Sequence, residues 1–386
     1  MKIQPDPACR AWFAVASPGL EDAVAREVER VLPGCAFFPE KGGVLVSARV
    51  EQVRRALPLL RVTARLWQRV AQTRGRAFGE LERKWAALPW EAYMRAGQSV
   101  RIDVTTHRCR LHHTGALRER LLDALGKRLG QPCTLLRDTD DANSHEPAAE
   151  ARPAARLLVR GEQDAFELSV DAGGDTLAFR GYRLEIGKAP LRETLAAGLL
   201  HLAGWTPAEP LVDPMCGAGT IPIEAALLGV DRTQARFAMD DWPSMTPRAP
   251  VMTQAPAAGA GLVLGCDRDP QMVDKARRNA ARAGADTLRF EAQTFEALAP
   301  PAPSGLLLFN PPYGHRLGGP SAVTRQWRDL AKTLALRWQG WRAGVLVPQG
   351  TRLEAPGLRT VRDHPLKNGG LPVSLLELAI GPGAGP

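Results

Sequence analysis

The chain has 386 residues, 45% hydrophobic and 24% charged, with a formal net charge of +9 and a sequence pI of about 9.6. This is a globular composition with room for two or three domains. It excludes a bilayer span, because no apolar run is long enough, and the basic balance points to a polyanionic partner. The charge excess is local: residues 51–100 carry 10 Lys and Arg against 4 Asp and Glu, and residues 301–350 carry 6 against 1. Six cysteines without a Cys-x-x-Cys pair argue against a disulfide scaffold and for reduced thiols in a cytosol. His107, His112 and His113 have no thiolate partners at zinc spacing and read as surface or nucleic-acid contacts, so no metal is expected. The segment Met1–Pro7 lacks the apolar core of a signal peptide.

In chain order, Ala11–Ala16 reads as a strand and Leu20–Leu32 as an amphipathic helix with Leu20, Ala23, Val24, Val28 and Val31 on its apolar side. Gly42–Ala48 follows as a strand and Val50–Leu60 as a helix, giving β-α-β-α in an α+β unit of ferredoxin-like type. Ala64–Ala71 alternates like a strand with basic residues on one face, and Arg65, Arg69, Arg74 and Arg76 are expected RNA contacts. Phe78–Leu88 reads as a helix, Ser99–Thr106 as a strand and Thr114–Leu129 as a basic helix. Arg156–Arg160 and Asp164–Asp171 read as a hairpin, preceded by an Asp/Ala/Pro-rich loop over Asp138–Pro153.

The chemistry is concentrated further on. Leu211-Val212-Asp213 runs into Pro214-Met215-Cys216-Gly217-Ala218-Gly219-Thr220 and then an Ala/Leu-rich helix. A strand, a Gly-rich turn and a helix open a nucleotide-binding α/β sheet, with Gly217 and Gly219 permitting close approach of a ligand. Val263–Asp267 is a second apolar run ending in an acid, and an acid there can take both hydroxyls of a ribose. Leu306–Phe309 then leads into Asn310-Pro311-Pro312-Tyr313. The prolines stiffen the turn and carry no N–H, leaving the Pro311 carbonyl as an acceptor beside the Asn310 side chain. Two acceptors and the flat ring of Tyr313 suit an exocyclic base amine, holding its N–H groups while its lone pair faces an electrophilic methyl. Dinucleotide binding accounts for Asp213 and Asp267 but gives Asn-Pro-Pro-Tyr no role. Asp231–Gly261, which contains Trp242, reads as a surface insertion, with a lid as the alternative. Gly340–Pro348 reads as a fifth strand, and Lys367-Asn368-Gly369-Gly370 as the turn of a hairpin.

These motifs resemble the class I S-adenosylmethionine-dependent methyltransferases that modify base amino groups. The order of a small α+β unit before an Asn-Pro-Pro-Tyr enzyme resembles the THUMP-containing RNA methyltransferases. Phe179-Arg180-Gly181-Tyr182-Arg183, Ala189–Ala197, Asp213–Thr220, Asn310–Gly314 and Pro365–Gly369 resemble bacterial large-subunit rRNA guanine-N2 methyltransferases over nearly the whole chain. The resemblance implies an α/β, Rossmann-like class I methyltransferase domain over 180–386, preceded by a ferredoxin-like unit over 1–55 and a THUMP RNA-binding region over 56–172. It implies that Asp213, Pro214, Met215, Cys216, Gly217, Gly219 and Thr220 cradle S-adenosylmethionine, that Asp267 and Arg268 border its ribose, and that Thr194 borders its methionine end. Asn310, Pro311, Pro312 and Tyr313 would hold an extruded guanine, with Asn310 also touching the cofactor. One departure is that Thr294 stands where the family usually has an acid for the adenine. The implied substrate is rRNA, with tRNA guanine-N2 and DNA adenine-N6 methylation as rivals and a non-catalytic RNA-binding factor as the rival from another class. A single set of motifs implies one activity.

Overall fold

A computed structural model describes residues 8–136, 154–185, 191–228, 230, 236–245, 261–312 and 320–381. The expected loop at Asp138–Pro153 lies outside the described residues. The N-terminal part opens with β1 (Arg10–Val15), whose Trp12 and Ala14 point inward under α1 (Glu21–Val31). That helix presents buried Ala23, Val24 and Val28 on one stripe, as its periodicity requires, with Glu21 and Asp22 at its positive end. Next come a hairpin of β2 (Ala36–Glu40) and β3 (Gly43–Ala48), then α2 (Val50–Ala56) and β4 (Arg65–Arg74). The expected β-α-β-α is therefore corrected to β-α-β-β-α-β. β2 escapes sequence reading because Ala36-Phe37-Phe38-Pro39-Glu40 does not alternate and contains a proline. The fold tolerates Pro39 because β2 is an edge strand.

The ladder does not stop at this unit. β4 pairs antiparallel with both β1 and β8 (Ala165–Asp171), β8 pairs with β7 (Ala155–Glu162), and β7 runs parallel to β5 (Ser99–His107). With β6 (Thr134–Leu135) they form one eight-stranded sheet in the order β2-β3-β1-β4-β8-β7-β5-β6, so strands on both sides of residue 55 share a sheet. α3 (Phe78–Ala86) and α4 (Thr114–Leu129) cover it, burying Leu81, Trp85, Leu117, Leu121 and Leu125. Two of the expected RNA-contact arginines are committed inside this sheet. Arg65 pairs with Asp171 and Asp175, and Arg69 bridges Glu40 at 2.8 Å and Glu167 at 2.9 Å. Arg74 and Arg76 are exposed.

The second sheet contains β9 (Leu211–Asp213), β10 (Val263–Asp267), β11 (Arg289–Ala292), β12 (Leu306–Phe309), β13 (Arg342–Pro348), β14 (Leu358–Asn368) and β15 (Leu371–Ile380). Its order is β11-β10-β9-β12-β13-β15-β14, parallel through β13 and closed by an antiparallel hairpin. Among its helices are α5 (Glu193–Leu202), α6 (Thr220–Ala226), α7 (Pro270–Arg282) and α8 (Pro320–Arg337). The chain moves outward from β9 through β10 to β11, then crosses back to β12. The strand order therefore reverses between β9 and β12, the place where such sheets leave a ligand crevice at the carboxyl ends.

The two sheets share a core. Buried residues from Trp12 to Leu375 form one apolar cluster, and Gly198 on α5 lets Leu20 approach so closely that a Cβ there would sit 2.6 Å from a leucine methyl. The described part of the insertion after α6, residues 236–245, packs back onto the N-terminal sheet. Trp242 is 4% exposed and stacks on Trp12 with ring centroids 6.4 Å apart, with Tyr93 edge-on at 5.1 Å. Met239 N–H donates to the Ala172 carbonyl and the Ser244 hydroxyl to that of Ala92. The surface-loop expectation is thus corrected for these residues, because Trp242 fills an aromatic pocket made by Trp12 of β1 and Tyr93, more than a hundred positions earlier. Among the described residues no helix is long and apolar enough to cross a membrane, and no cluster of three His, Cys, Asp or Glu side chains could hold a metal ion.

Candidate active site

The Gly-rich turn is built from the end of β9. Asp213 is buried and its Oδ1 accepts from the Met215 N–H at 3.1 Å. Burial pushes its carboxyl well above the usual range, and the neighbouring Asp267 charge adds to that. The Cys216 N–H donates to the Cys266 carbonyl at 2.8 Å, carrying the β9–β10 pairing into the turn. Both thiols are held neutral: burial pushes Cys216 well up and Cys266 up to about 12, which removes them as nucleophiles.

The two glycines have different jobs. Both have positive φ, +54° at Gly217 and +84° at Gly219. A Cβ on Gly219 would meet Ala276 of α7 at 2.9 Å and the Phe290 ring at 3.1 Å, so this glycine lets α7 and β11 pack. A Cβ on Gly217 would meet no atom within 4 Å; it would project into open space where a ligand can approach the backbone. Facing that space, Asp267 accepts from the Gly217 N–H through Oδ2 at 2.9 Å and from the Asp269 N–H through Oδ1 at 3.0 Å. Asp269 in turn caps α7 through the Gln271 N–H, with Pro270 at the first helical position.

Across the switch point, β12 is buried at all four positions and delivers Asn310 at its carboxyl end. The Asn310 Oδ1 is buried and has no hydrogen-bond partner among the described residues, which costs about 1–3 kcal/mol in a folded protein. Pro311 is buried and Pro312 exposed, and the Pro312 carbonyl accepts from Gln326 Nε2 on α8 at 2.8 Å. Tyr313 and Gly314 lie outside the described residues.

Of the other expected site residues, Pro214, Cys216 and Thr220 are buried in the turn, Met215 is half-buried, and Thr194 is buried in the first turn of α5. Arg268 and Thr294 are exposed. The Gln293 N–H donates to the Asp267 carbonyl at 2.9 Å, which sets Thr294 next to the end of β10. The structure therefore brings together Asp213, the turn, Asp267 and residues 293–294, with Asn310 on the adjoining strand.

A second set of residues was not read from the sequence. Tyr182 packs against Cys216 and Ile223 in a small apolar cluster beneath the turn, and its hydroxyl donates to Glu224 of α6 at 3.0 Å. Glu224 is fully buried, with Arg180 3.4 Å away. Arg180 donates to the Arg61 carbonyl, and the Arg61 guanidinium donates to the Val230 carbonyl at 2.9 Å, so the N-terminal part reaches the far end of the helix that the turn begins. Asn279 of α7 is also fully buried. Its Nδ2 donates to the Ala218 carbonyl at 3.1 Å and the Glu185 carbonyl at 2.9 Å, while its Oδ1 accepts from the Glu185 N–H. Arg183 pairs with Glu193 at 3.1 Å, beside Thr194. The linker 180–185 thus braces the helices around the crevice. The Phe-Arg-Gly-Tyr-Arg motif was the available signal, but nothing in it names Glu224 or Asn279.

A parallel sheet with a reversed last strand, a Gly-rich turn on its first strand and an Asn-Pro-Pro turn on the fourth defines the class I methyltransferase fold. Residues 180–376 match the family model described as RMKL-like, methyltransferase domain, and the chain belongs to that family. It is 32% identical over 391 residues to a ribosomal RNA large subunit methyltransferase K/L of Syntrophotalea carbinolica, covering 96% of this chain and 53% of that protein. The chain thus spans about half the length of the K/L relatives it matches. It is 30% identical over 377 residues to the putative RNA methyltransferase YpsC of Bacillus subtilis, covering 92% of both. Among solved structures it is similar to SMU.472, a putative methyltransferase complexed with SAH, with a TM-score of 0.77, 26% identity and coverage of 97% of this chain and 99% of that one.

Proposed function

We propose that this chain transfers a methyl group from S-adenosylmethionine to the N2 amine of a guanine in RNA, with large-subunit rRNA as the substrate. The observation that carries this reading is the unpartnered, buried Asn310 Oδ1 at the strand end next to the open space at Gly217. The open Cβ position at Gly217 fits a cofactor that approaches the backbone, and Asp267 stands where a ribose would compete for its oxygens. Asp213, Pro214, Met215, Cys216, Gly217, Gly219 and Thr220 form the cradle in this proposal, with Thr194, Arg268 and Thr294 at its margins. Bound S-adenosylmethionine supplies an electrophilic methyl group.

The chain's own residues do the rest. Asn310 Oδ1 and the Pro311 carbonyl accept hydrogen bonds from the two amine N–H groups, which turns the nitrogen lone pair away from them and toward the methyl. The N–C bond forms with departure of S-adenosylhomocysteine, and the nitrogen afterwards loses one proton to solvent. Both oxygens stabilise the positive charge that builds on nitrogen during transfer, and they need no reorganisation because the prolines hold the turn. Tyr313 stacks on the extruded base. The names of the K/L relatives and of YpsC support RNA as the substrate. The division into 1–55, 56–172 and 180–386 belongs to the same proposal, with RNA recognition assigned to the first two segments.

Purified protein, S-adenosylmethionine and separate pools of unmodified rRNA and tRNA provide the test, followed by nucleoside mass spectrometry. N2-methylguanosine in the rRNA is expected. Its appearance in tRNA alone would move the substrate, and N6-methyladenosine would refute the base assignment.

A further inference from the structure

We infer that Gln326 on α8 determines base specificity, its Oε1 accepting the N1–H of the target guanine. The inference rests on the proposed guanine-N2 reading and deepens it. The Gln326 Nε2 is 2.8 Å from the Pro312 carbonyl. A carbonyl oxygen can only accept, so the nitrogen end of this amide must face it and the oxygen end must point elsewhere. That Oε1 is buried and has no partner among the described residues. Asn310 Oδ1, two residues before Pro312, is in the same condition. Two side-chain amides, one on the Asn-Pro-Pro turn and one on α8 bonded to it, thus each keep a buried acceptor unsatisfied among the described residues, which costs free energy unless a donor arrives.

With the Pro311 carbonyl of the proposed mechanism, the Asn-Pro-Pro turn and α8 together offer three acceptors: Asn310 Oδ1, the Pro311 carbonyl and Gln326 Oε1. An amine has two N–H groups to give. A third acceptor is useful only if the base offers a third donor beside the amine. Guanine does, because its N1–H adjoins the N2 amine. Adenine does not, because the N1 beside its N6 amine is itself an acceptor and would face the Gln326 oxygen with like polarity. The set of acceptors thus favours guanine and penalises adenine at the same site, through an unmade hydrogen bond and a repulsion together.

The test uses the full chain and rRNA. The nucleotide methylated by the wild type is mapped first. Two full-length RNAs are then assembled by ligation, with guanosine or 2,6-diaminopurine riboside at that position. The analogue keeps the 2-amine but presents an acceptor at N1. The wild type is expected to favour guanosine in kcat/KM by about tenfold to a hundredfold. Gln326→Met, close in size and without polar atoms, should bring the ratio near one by slowing the guanosine reaction. Gln326→Glu keeps the acceptor, loses the donor to Pro312, and should be slower but retain the preference for guanosine. Calorimetric binding of S-adenosylmethionine by both variants checks that they are folded. If both substrates slow equally in Gln326→Met, or if Gln326→Glu loses the ratio as well, Gln326 only braces the turn and the inference is overturned. If the wild type makes no N2-methylguanosine in any RNA, the proposed function fails and this inference with it.

Discussion

The two sheets differ in where their polar side chains find partners. In the N-terminal part many charges are paired: on the sheet Arg65 with Asp171 and Asp175, Arg69 with Glu40 and Glu167 and Arg156 with Asp103 at 2.8 Å, and on its covering helices Glu82 of α3 with both Arg120 and Lys127 of α4. At the carboxyl ends of the second sheet, Asn310 Oδ1 and, on the adjoining α8, Gln326 Oε1 are buried without partners among the described residues, and Gly217 faces open space. Pairing of this kind fixes strand register and leaves little for a ligand to gain. Unmet acceptors are a standing cost that only a bound donor removes. Ion pairs therefore dominate the N-terminal sheet, where Gln68 Oε1 on β4 is the buried amide oxygen without a partner among the described residues, whereas the unsatisfied amides of the second sheet lie at the strand ends beside a Gly-rich turn.

The strongest challenge to this contrast lies at the junction. Trp242→Ala empties the pocket between Trp12 and Tyr93 and should destabilise the protein by about 3–5 kcal/mol, read as a lower urea midpoint. A change below ~1 kcal/mol would mean that residues 236–245 rest on the N-terminal sheet without holding it.

Next in size is Asn310→Ala. It removes an acceptor that the folded chain does not use, so kcat should fall about 10²–10³-fold. Cofactor binding should stay largely intact, and thermal stability should be unchanged or slightly raised. A drop in melting temperature comparable to that of a core truncation would show that the Asn310 side chain is structural after all.

Tyr182→Phe sharpens the comparison by removing one bond from a buried charge. The ring stays beneath Cys216 while Glu224 loses its hydroxyl donor. A loss of about 1–3 kcal/mol in denaturant unfolding is expected, together with weaker S-adenosylmethionine binding measured by calorimetry. Unchanged binding at reduced stability would confine Tyr182 to the core.

The smallest effect separates two pairs of arginines on one strand and its following turn. Arg74→Gln with Arg76→Gln should lower RNA affinity and reduce the slope of log K against log salt by about one per residue, as fewer counterions are released. Arg65→Gln with Arg69→Gln should lower stability and leave that slope nearly as it was. Equal slopes in the two double variants would erase the distinction between paired and exposed arginines.

Much of the crevice was legible because its signals are contiguous. A strand ending in Asp213, a turn with glycines at two spaced positions, an acid at Asp267 and Asn-Pro-Pro after a buried strand each fit within about ten residues. Their backbone chemistry is set by those residues alone. The reversed last strand was equally plain from Asn368-Gly369-Gly370, where both glycines take positive φ, +57° and +88°.

What only the tertiary structure decided depends on partners far apart in the chain. Tyr182 and Glu224 are 42 positions apart, and Asn279 and Glu185 are 94 apart. Ser244 meets Ala92 across 152. Periodicity and spacing report which way a side chain faces its own element, and they carry no information on what the chain brings opposite it. For that reason Arg65 and Arg69 read as free basic residues although acids from β2 and β8 and from the turn after β8 neutralise them. Trp242 read as a loop residue although two aromatic rings enclose it, and Gln326 gave no signal until α8 was laid against the Asn-Pro-Pro turn.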